Sequence, residues 1–296
     1  MNKKLIVICG PTAAGKTRAG IELAGRLETE IISADSRQLY REMNLGTAKP
    51  SPQELDLATH HFIDSHSIHQ PLDAGTYGRE ACALLEKLFQ KKNYLIAVGG
   101  SGLYIKALTE GFDEMPEVSE TLRSELRTDY EKRGLVWLQK CVCAEDPDYF
   151  SQTDISNPHR LLRALEIIRA GGKPVSHWRK GKKKESPYDV ILLGLNLERE
   201  ELYRQIDRRT EEMVKAGLME EAAALYPFRR LAPLQTVGYS ECFDFLEHKI
   251  TKEEAVRLIK RNTRRYAKRQ LTWFAKQKIK WFTPNHPKEI FNFVHG

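Results

Sequence analysis

Residues 10–17, GPTAAGKT, constrain this chain more than any other segment. They fit the pattern G-x-x-x-x-G-K-[ST] without a mismatch, between an apolar run at residues 5–9 and a stretch of helical spacing at residues 16–27. Glycines in such a loop let the backbone curl until its N–H groups point inward and cradle an anion. The helix that follows adds the positive end of its dipole. Lys16 supplies a full mobile charge, and the Thr17 hydroxyl suits Mg²⁺. The loop requires a bound phosphate group and leaves open whose phosphate it is.

An apolar run buried on both faces of a parallel sheet is the natural partner of this loop. Further short runs follow at residues 30–35 (EIISAD), 61–64 (HFID), 95–98 and 190–197. Helical patterns separate several of them, notably residues 73–91, where Asp73 is placed to cap the first turn. Strand–helix alternation predicts an α/β fold, a P-loop NTPase-like parallel sheet with right-handed crossovers. From residue 115 to residue 189 helical segments dominate, at 121–132, 135–143 and 158–170. The expected organisation is a core of residues 1–114 and 190–296 with a mostly helical insertion domain at 115–189. The end of the insertion, residues 171–187, is rich in Gly, Lys and Pro and reads as mobile. Beyond the fifth strand come a helix at 198–216, a turn at Gly217 and a long helix at 252–279.

Several function classes fall away on composition. No apolar run approaches the roughly 20 residues that span a membrane. The apolar stretch after Lys3 and Lys4 stops after five residues in a Gly-Pro turn, too short for an export signal. Five cysteines without a CxxC pair read as reduced thiols of a cytoplasmic protein.

The net charge of +7 is unevenly placed. Residues 257–280 hold ten Lys or Arg and no acid, with Arg257, Arg261, Arg265 and Arg269 four apart on one helical face. Ala255, Ile259, Tyr266 and Trp273 supply apolar positions to hold that helix to the body. Residues 157–184 hold nine Lys or Arg against the single acid Glu166. Two basic regions beside a phosphate site point to a large polyanion, most simply nucleic acid. Tyr40, His159, Trp178 and Tyr239 are available to stack on unpaired bases.

A P-loop ATPase usually carries a metal-binding carboxylate at the end of another strand. The run at 95–98 ends instead in Gly99-Gly100-Ser101-Gly102, where glycine admits a close ligand or a tight turn. Asp35 ends the second run, where carboxyl ends of parallel strands gather around a ligand. Position alone leaves it three roles: metal ligand, helix cap or general base.

GPTAAGKT (10–17), DSRQLY (35–40), VGGSGLY (98–104), NPHRLLRALE (157–166), VGYSE (237–241) and RRYAKRQLTWF (264–274) occur in this order. With them the chain closely resembles the bacterial tRNA dimethylallyltransferases, or tRNA isopentenyl transferases, from residue 5 to about residue 282. The resemblance implies transfer of a dimethylallyl group from its diphosphate to the exocyclic amine of the adenosine 3′ of the anticodon, with release of pyrophosphate. It implies Mg²⁺ as cofactor, the tRNA anticodon stem-loop and dimethylallyl diphosphate as partners, no membrane, and a monomer. It also implies that Asp35 accepts the amine proton and that Lys16, Thr17 and Arg209 complete the catalytic set, Thr17 holding the metal. Diphosphate binding falls by the same resemblance to Gly10, Thr12, Ala13, Ala14, Gly15, Lys16 and Thr17. Contact with tRNA falls to Asp35, Ser36, Arg37 and Gln38, with Ser36 and Gln38 on the flipped adenine, and to Ser101 and Arg123. His159, Arg160, Leu161, Leu162 and Arg163 are implied on the RNA as well, as are Gln235, Gly238, Tyr239, Lys268, Arg269 and Gln270.

Read structurally instead, Arg209 pairs with Asp207 or Glu212, and Arg123 pairs with acids on its own helix. Ala14, Ser101 and Ala275 stand where the family often has Ser, Thr and Arg, and Ala275 removes one phosphate contact. No Cys/His finger follows residue 282, so no zinc is expected. An ATP-dependent small-molecule P-loop kinase is the alternative enzyme, and it gives no reason for the basic helix. A non-catalytic RNA-binding protein that keeps the fold is a third reading.

Overall fold

The computed structural model describes residues 3–181, 186–284 and 287–295. Its contacts divide the chain into two compact units, Met1–Gly111 with Glu185–Gly296, and Phe112–Lys184.

The first unit is built on a parallel sheet of six strands: β1 (Lys4–Cys9), β2 (Ile31–Ser33), β3 (His60–His61), β4 (Tyr94–Val98), β5 (Asp189–Leu195) and β6 (Lys280–Phe282). Their order is β3-β2-β4-β1-β5-β6, which puts β1 between β4 and β5 at the centre. The continuous apolar run of β1 follows from that place. Leu5, Val7 and Cys9 point into one core layer, Ile6 and Ile8 into the other, and all five are buried. On the first face lie α3 (Ala74–Leu88), α4 (Gly102–Thr109), α10 (Leu218–Leu225), α11 (Tyr239–Leu246) and much of α12 (Lys252–Phe274). On the second lie α1 (Lys16–Leu27), α9 (Arg199–Lys215) and α13 (Pro287–His295). A short α2 (Pro52–Leu57) begins in a capping box formed by Ser51 and Glu54.

Asp73 caps α3 as its sequence requires, accepting from the Thr76 N–H. The third strand is shorter than expected because Phe62 and Asp64 turn left-handed (φ 61° and 52°), ending the extended backbone at His61. The helix expected to reach residue 279 stops at Phe274, and residues 280–282 then form the sixth strand. Gly194 makes that strand possible. A Cβ there would lie 2.4 Å from the Trp281 ring and 2.6 Å from Ile279, so only glycine lets β6 close onto β5.

The second unit is helical among its described residues: α5 (Glu120–Glu145), α6 (Pro147–Gln152), α7 (Pro158–Gly171) and α8 (Val175–Trp178). Gly134 (φ 74°) breaks α5 into two arms. Leu126, Leu138, Val142, Leu161 and Leu165 fill its core, and buried Asp146 caps α6 while accepting from the Ser176 N–H and hydroxyl. Part of the stretch read as mobile is ordered as α8; residues 182–185 lie outside the described residues. No helix of the described chain is long and apolar enough to cross a membrane.

Candidate active site

The carboxyl ends of β1, β2 and β4 open onto one cavity of about 660 Å³ in the first unit. Residues 12–17 form one wall. The loop between β1 and α1 holds Gly10 (φ 138°), Ala13 (φ 65°) and Gly15 (φ 76°) in conformations that L side chains rarely adopt. At Gly10 a side chain is excluded outright, because its Cβ would lie 2.2 Å from the Leu195 carbonyl oxygen.

Among the cations lining the cavity, Lys16 and Arg209 come from different elements and interact with Asp35. Lys16, at the start of α1, donates from Nζ to the Pro11 carbonyl at 2.7 Å. Burial pushes its ammonium down to about 8, opposed by the Asp35 carboxylate and reinforced by Arg209. Arg209, from α9, donates to the Thr12 hydroxyl, and burial lowers it while Asp35 works the other way. Neither structural alternative for Arg209 holds: Asp207 pairs with Arg264, and Glu212 pairs with Arg208 at 2.8 Å. Asp35 completes the triangle of charges. Its Oδ1 accepts from the Arg37 N–H at 2.9 Å and the Gln38 N–H at 3.4 Å, and no described residue bonds Oδ2. Thr17 lines the same cavity. Among the described residues there is no cluster of three or more His, Cys, Asp or Glu that could hold a metal ion.

A second wall comes from the residues after β2 and β4. The Ser101 hydroxyl accepts from the Ser36 N–H at 2.9 Å and donates to the Ser36 hydroxyl at 3.1 Å. Tyr266 of α12 lines the same cavity, and burial pushes its phenol up to about 12. Gln38 donates to the Thr47 and Ala48 carbonyls at 3.3 and 3.0 Å, so the amide expected on an adenine is held by backbone.

Known proteins resemble this chain over most of its length. Residues 38–277 fit the family model described as IPP transferase. The chain belongs to the IPP transferase family. A tRNA dimethylallyltransferase of Cytophaga hutchinsonii is 47% identical over 89% of this chain and 87% of its own length. That of Christiangramia forsetii is 48% identical over the same shares. Among solved structures, the tRNA isopentenylpyrophosphate transferase of Bacillus halodurans superposes with a TM-score of 0.74 at 37% identity, covering 99% of this chain and 96% of that one. A eukaryotic dimethylallyltransferase acting on tRNA gives a TM-score of 0.77 at 25% identity, over 95% and 74%. The kinase reading is not favoured by any of these, and β4 ends in glycines rather than a carboxylate.

The cavity brings together Thr12 to Thr17, Asp35, Gln38, Arg209 and Gln270 of the family's expected site residues. Ser36 and Ser101 stand beside it through their mutual bonds, while Arg37 reaches the Ala232 carbonyl at 3.5 Å. Other residues expected on tRNA are not presented to solvent. Leu161 and Tyr239 have no exposed surface: Leu161 fills the second unit's core, and the Tyr239 hydroxyl donates to Glu221 at 2.6 Å. Tyr40 is equally buried and Trp178 packs against that same core, so of the four stacking candidates only His159 is exposed. Gln270 is buried too, its amide engaged by backbone at both ends.

Exposed are His159, Arg160 and Arg163 on α7, Gln235, and Lys268 and Arg269 on α12, while Leu162 is half-buried. Gly238 (φ 100°) donates its N–H to Glu241 at 2.8 Å. Arg123 lies 3.7 Å from Glu120 and 4.0 Å from Glu166, and Arg163 lies 3.1 Å from Glu166.

The basic stripe is less bare than its sequence implies. Arg257 pairs with Glu254, Lys260 with Glu211 and Arg264 with Asp207, the last two acids coming from α9. Arg265, Lys268, Lys276 and Lys278 have no ion pair among the described residues, and Arg269 lies over the Tyr266 ring. The usable positive charge is therefore concentrated in the C-terminal half of α12 and just beyond it. Composition along α12 makes Tyr266 an anchor and nothing more. Its place in the site is visible in retrospect from spacing, since 266, 270 and 273 share one helical face and a glutamine interrupts that otherwise apolar set.

Proposed function

We propose that this chain transfers the dimethylallyl group of dimethylallyl diphosphate to the exocyclic amine of the adenosine 3′ of the anticodon in tRNA, releasing pyrophosphate. The observation that carries the reading is electrostatic. One cavity couples the Asp35 carboxylate to Lys16 and Arg209, beside a phosphate loop and without a carboxylate at the end of β4.

In this reading the loop's N–H groups and the end of α1 hold the diphosphate, and Lys16 and Arg209 meet the charge that grows on the leaving oxygen. Thr17 would hold Mg²⁺, which when bound supplies further neutralisation of the pyrophosphate. The amine nitrogen forms its bond to the first carbon of the prenyl group as the carbon–oxygen bond breaks, and the electron pair leaves with pyrophosphate. Asp35 accepts the displaced amine proton through Oδ2, its carboxylate oriented by the two bonds at Oδ1. An aromatic amine is a weak nucleophile, so positioning supplies much of the rate. The unpaired cations 265, 268, 276 and 278, and the exposed His159, Arg160 and Arg163, would contact tRNA phosphates. Action on tRNA supports a cytoplasmic enzyme.

Single-turnover transfer to unmodified tRNA tests the assignment. Asp35→Asn is expected to slow transfer by at least about a hundredfold while changing tRNA affinity by less than about threefold. Equal losses in transfer and binding would refute Asp35 as the base.

A further inference from the structure

Gln270 lies on the buried face of a helix whose other face carries the free cations, and it touches both loops that shape the cavity. Its Oε1 accepts from the Thr12 N–H at 2.8 Å, and its Nε2 donates to the Gly100 carbonyl at 2.9 Å. The two bonds span 258 and 170 residues of sequence. Gly100 is shaped for this contact: a Cβ there would lie 2.3 Å from Nε2 and 3.3 Å from the Gly10 carbonyl oxygen. Thr12 is held a second time, through its hydroxyl, by Arg209.

A loop with positive φ at residues 10, 13 and 15 does not keep such a shape from local preference alone. We infer that Gln270 is a positioning residue for the diphosphate, fixing Thr12 and Gly100 so that the inner face of α12 sets the geometry of the anion cradle. The same bond directs the Thr12 N–H away from the ligand, leaving the cradle to the N–H groups that follow. This rests on the diphosphate reading above, and it differs from a role for Gln270 on tRNA, since its amide is buried and engaged by backbone at each end.

The experiment uses inorganic pyrophosphate titrated calorimetrically into the full chain, tRNA filter binding, and the unfolding temperature. Gln270→Met conserves length and flexibility but removes both bonds. Pyrophosphate Kd is expected to rise about tenfold, equivalent to about 1.4 kcal/mol, with tRNA Kd changed less than about threefold. Gln270→Glu keeps an acceptor for Thr12 but has no hydrogen for Gly100 and adds charge to the cavity wall. It is expected to weaken pyrophosphate by more than tenfold, so the inference stays testable if the first variant does not fold.

Lost tRNA affinity with unchanged pyrophosphate affinity would make Gln270 an RNA contact and overturn the inference. Parallel loss of both affinities with a lowered unfolding temperature would reduce it to packing. A wild-type chain that binds no pyrophosphate would refute the diphosphate reading itself. Wild-type binding matched by both variants would overturn only the positioning role.

Discussion

Lys16 is expected to make the ligand-free protein less stable than it could be, and the size of the effect follows from its surroundings. Its ammonium is held near 8 against an ordinary 10.5, by burial first and then by Arg209. Each tenfold change in an acid's ionisation constant corresponds to about 1.4 kcal/mol, which gives about 3 kcal/mol against folding when Lys16 is charged in both states. The side chain is only half-buried, so solvent screens part of that cost, and its bond to the Pro11 carbonyl returns about 1 kcal/mol. About 2 kcal/mol is the expected net. Lys16→Met removes the charge and keeps the length. Urea denaturation near pH 7, without phosphate or pyrophosphate, should show the variant more stable by about 2 kcal/mol. The direction with pH is fixed by linkage. The folded pKa lies below the unfolded one, so the unfolded chain binds more protons and the wild type gains stability as pH rises from about 8 toward 10.5. Most of the variant's advantage should vanish between about pH 7 and pH 9.5. A variant less stable than wild type at pH 7, or a difference that does not move with pH, would refute the reasoning. Pyrophosphate should stabilise the wild type more than the variant, which lacks one of the cations that the anion relieves.

Three further outcomes are expected. Gly10→Ala sets a Cβ against the Leu195 carbonyl in a backbone conformation alanine rarely adopts, and should destabilise by more than about 3 kcal/mol in the same denaturation assay. Arg209→Met should raise pyrophosphate Kd about tenfold or more in calorimetry, the loss of a charge-assisted contact, without an equal fall in tRNA affinity. Lys268→Ala should lower the salt dependence of tRNA binding by about one unit of slope, whereas Arg264→Ala, already neutralised by Asp207, should leave the slope nearly unchanged.

What could be read from the sequence is what is encoded locally. The phosphate loop, α1 and the Asp73 cap each depend on residues within about one turn of one another. The doubly buried β1 declared itself through an unbroken apolar run. The sixth strand did not, because three residues after a Lys-rich helix carry no period, and the glycine that admits them lies some 86 positions earlier. Helix α4 was hidden by the glycines at its start, where Gly102 makes room for Trp273.

The same rule divides the site. Asp35 and Lys16 stand in recognisable motifs, but the Arg209 bond to Thr12 crosses 197 residues. Pairing of Arg264 and Lys260 with acids on α9 is likewise invisible along α12 alone, and it reduces the charge that the stripe offers. Tyr239, Leu161 and Gln270 sit within motifs that the resemblance places on RNA, yet all three are buried.

A crystal structure of this chain with dimethylallyl diphosphate and Mg²⁺ bears most directly on the chemistry. The phosphates should be cradled by residues 13–17 with Arg209 and Lys16 on their oxygens, and the first prenyl carbon should lie on the Asp35 side of the cavity. A diphosphate bound elsewhere, or a prenyl chain running away from Asp35, would contradict the proposed transfer.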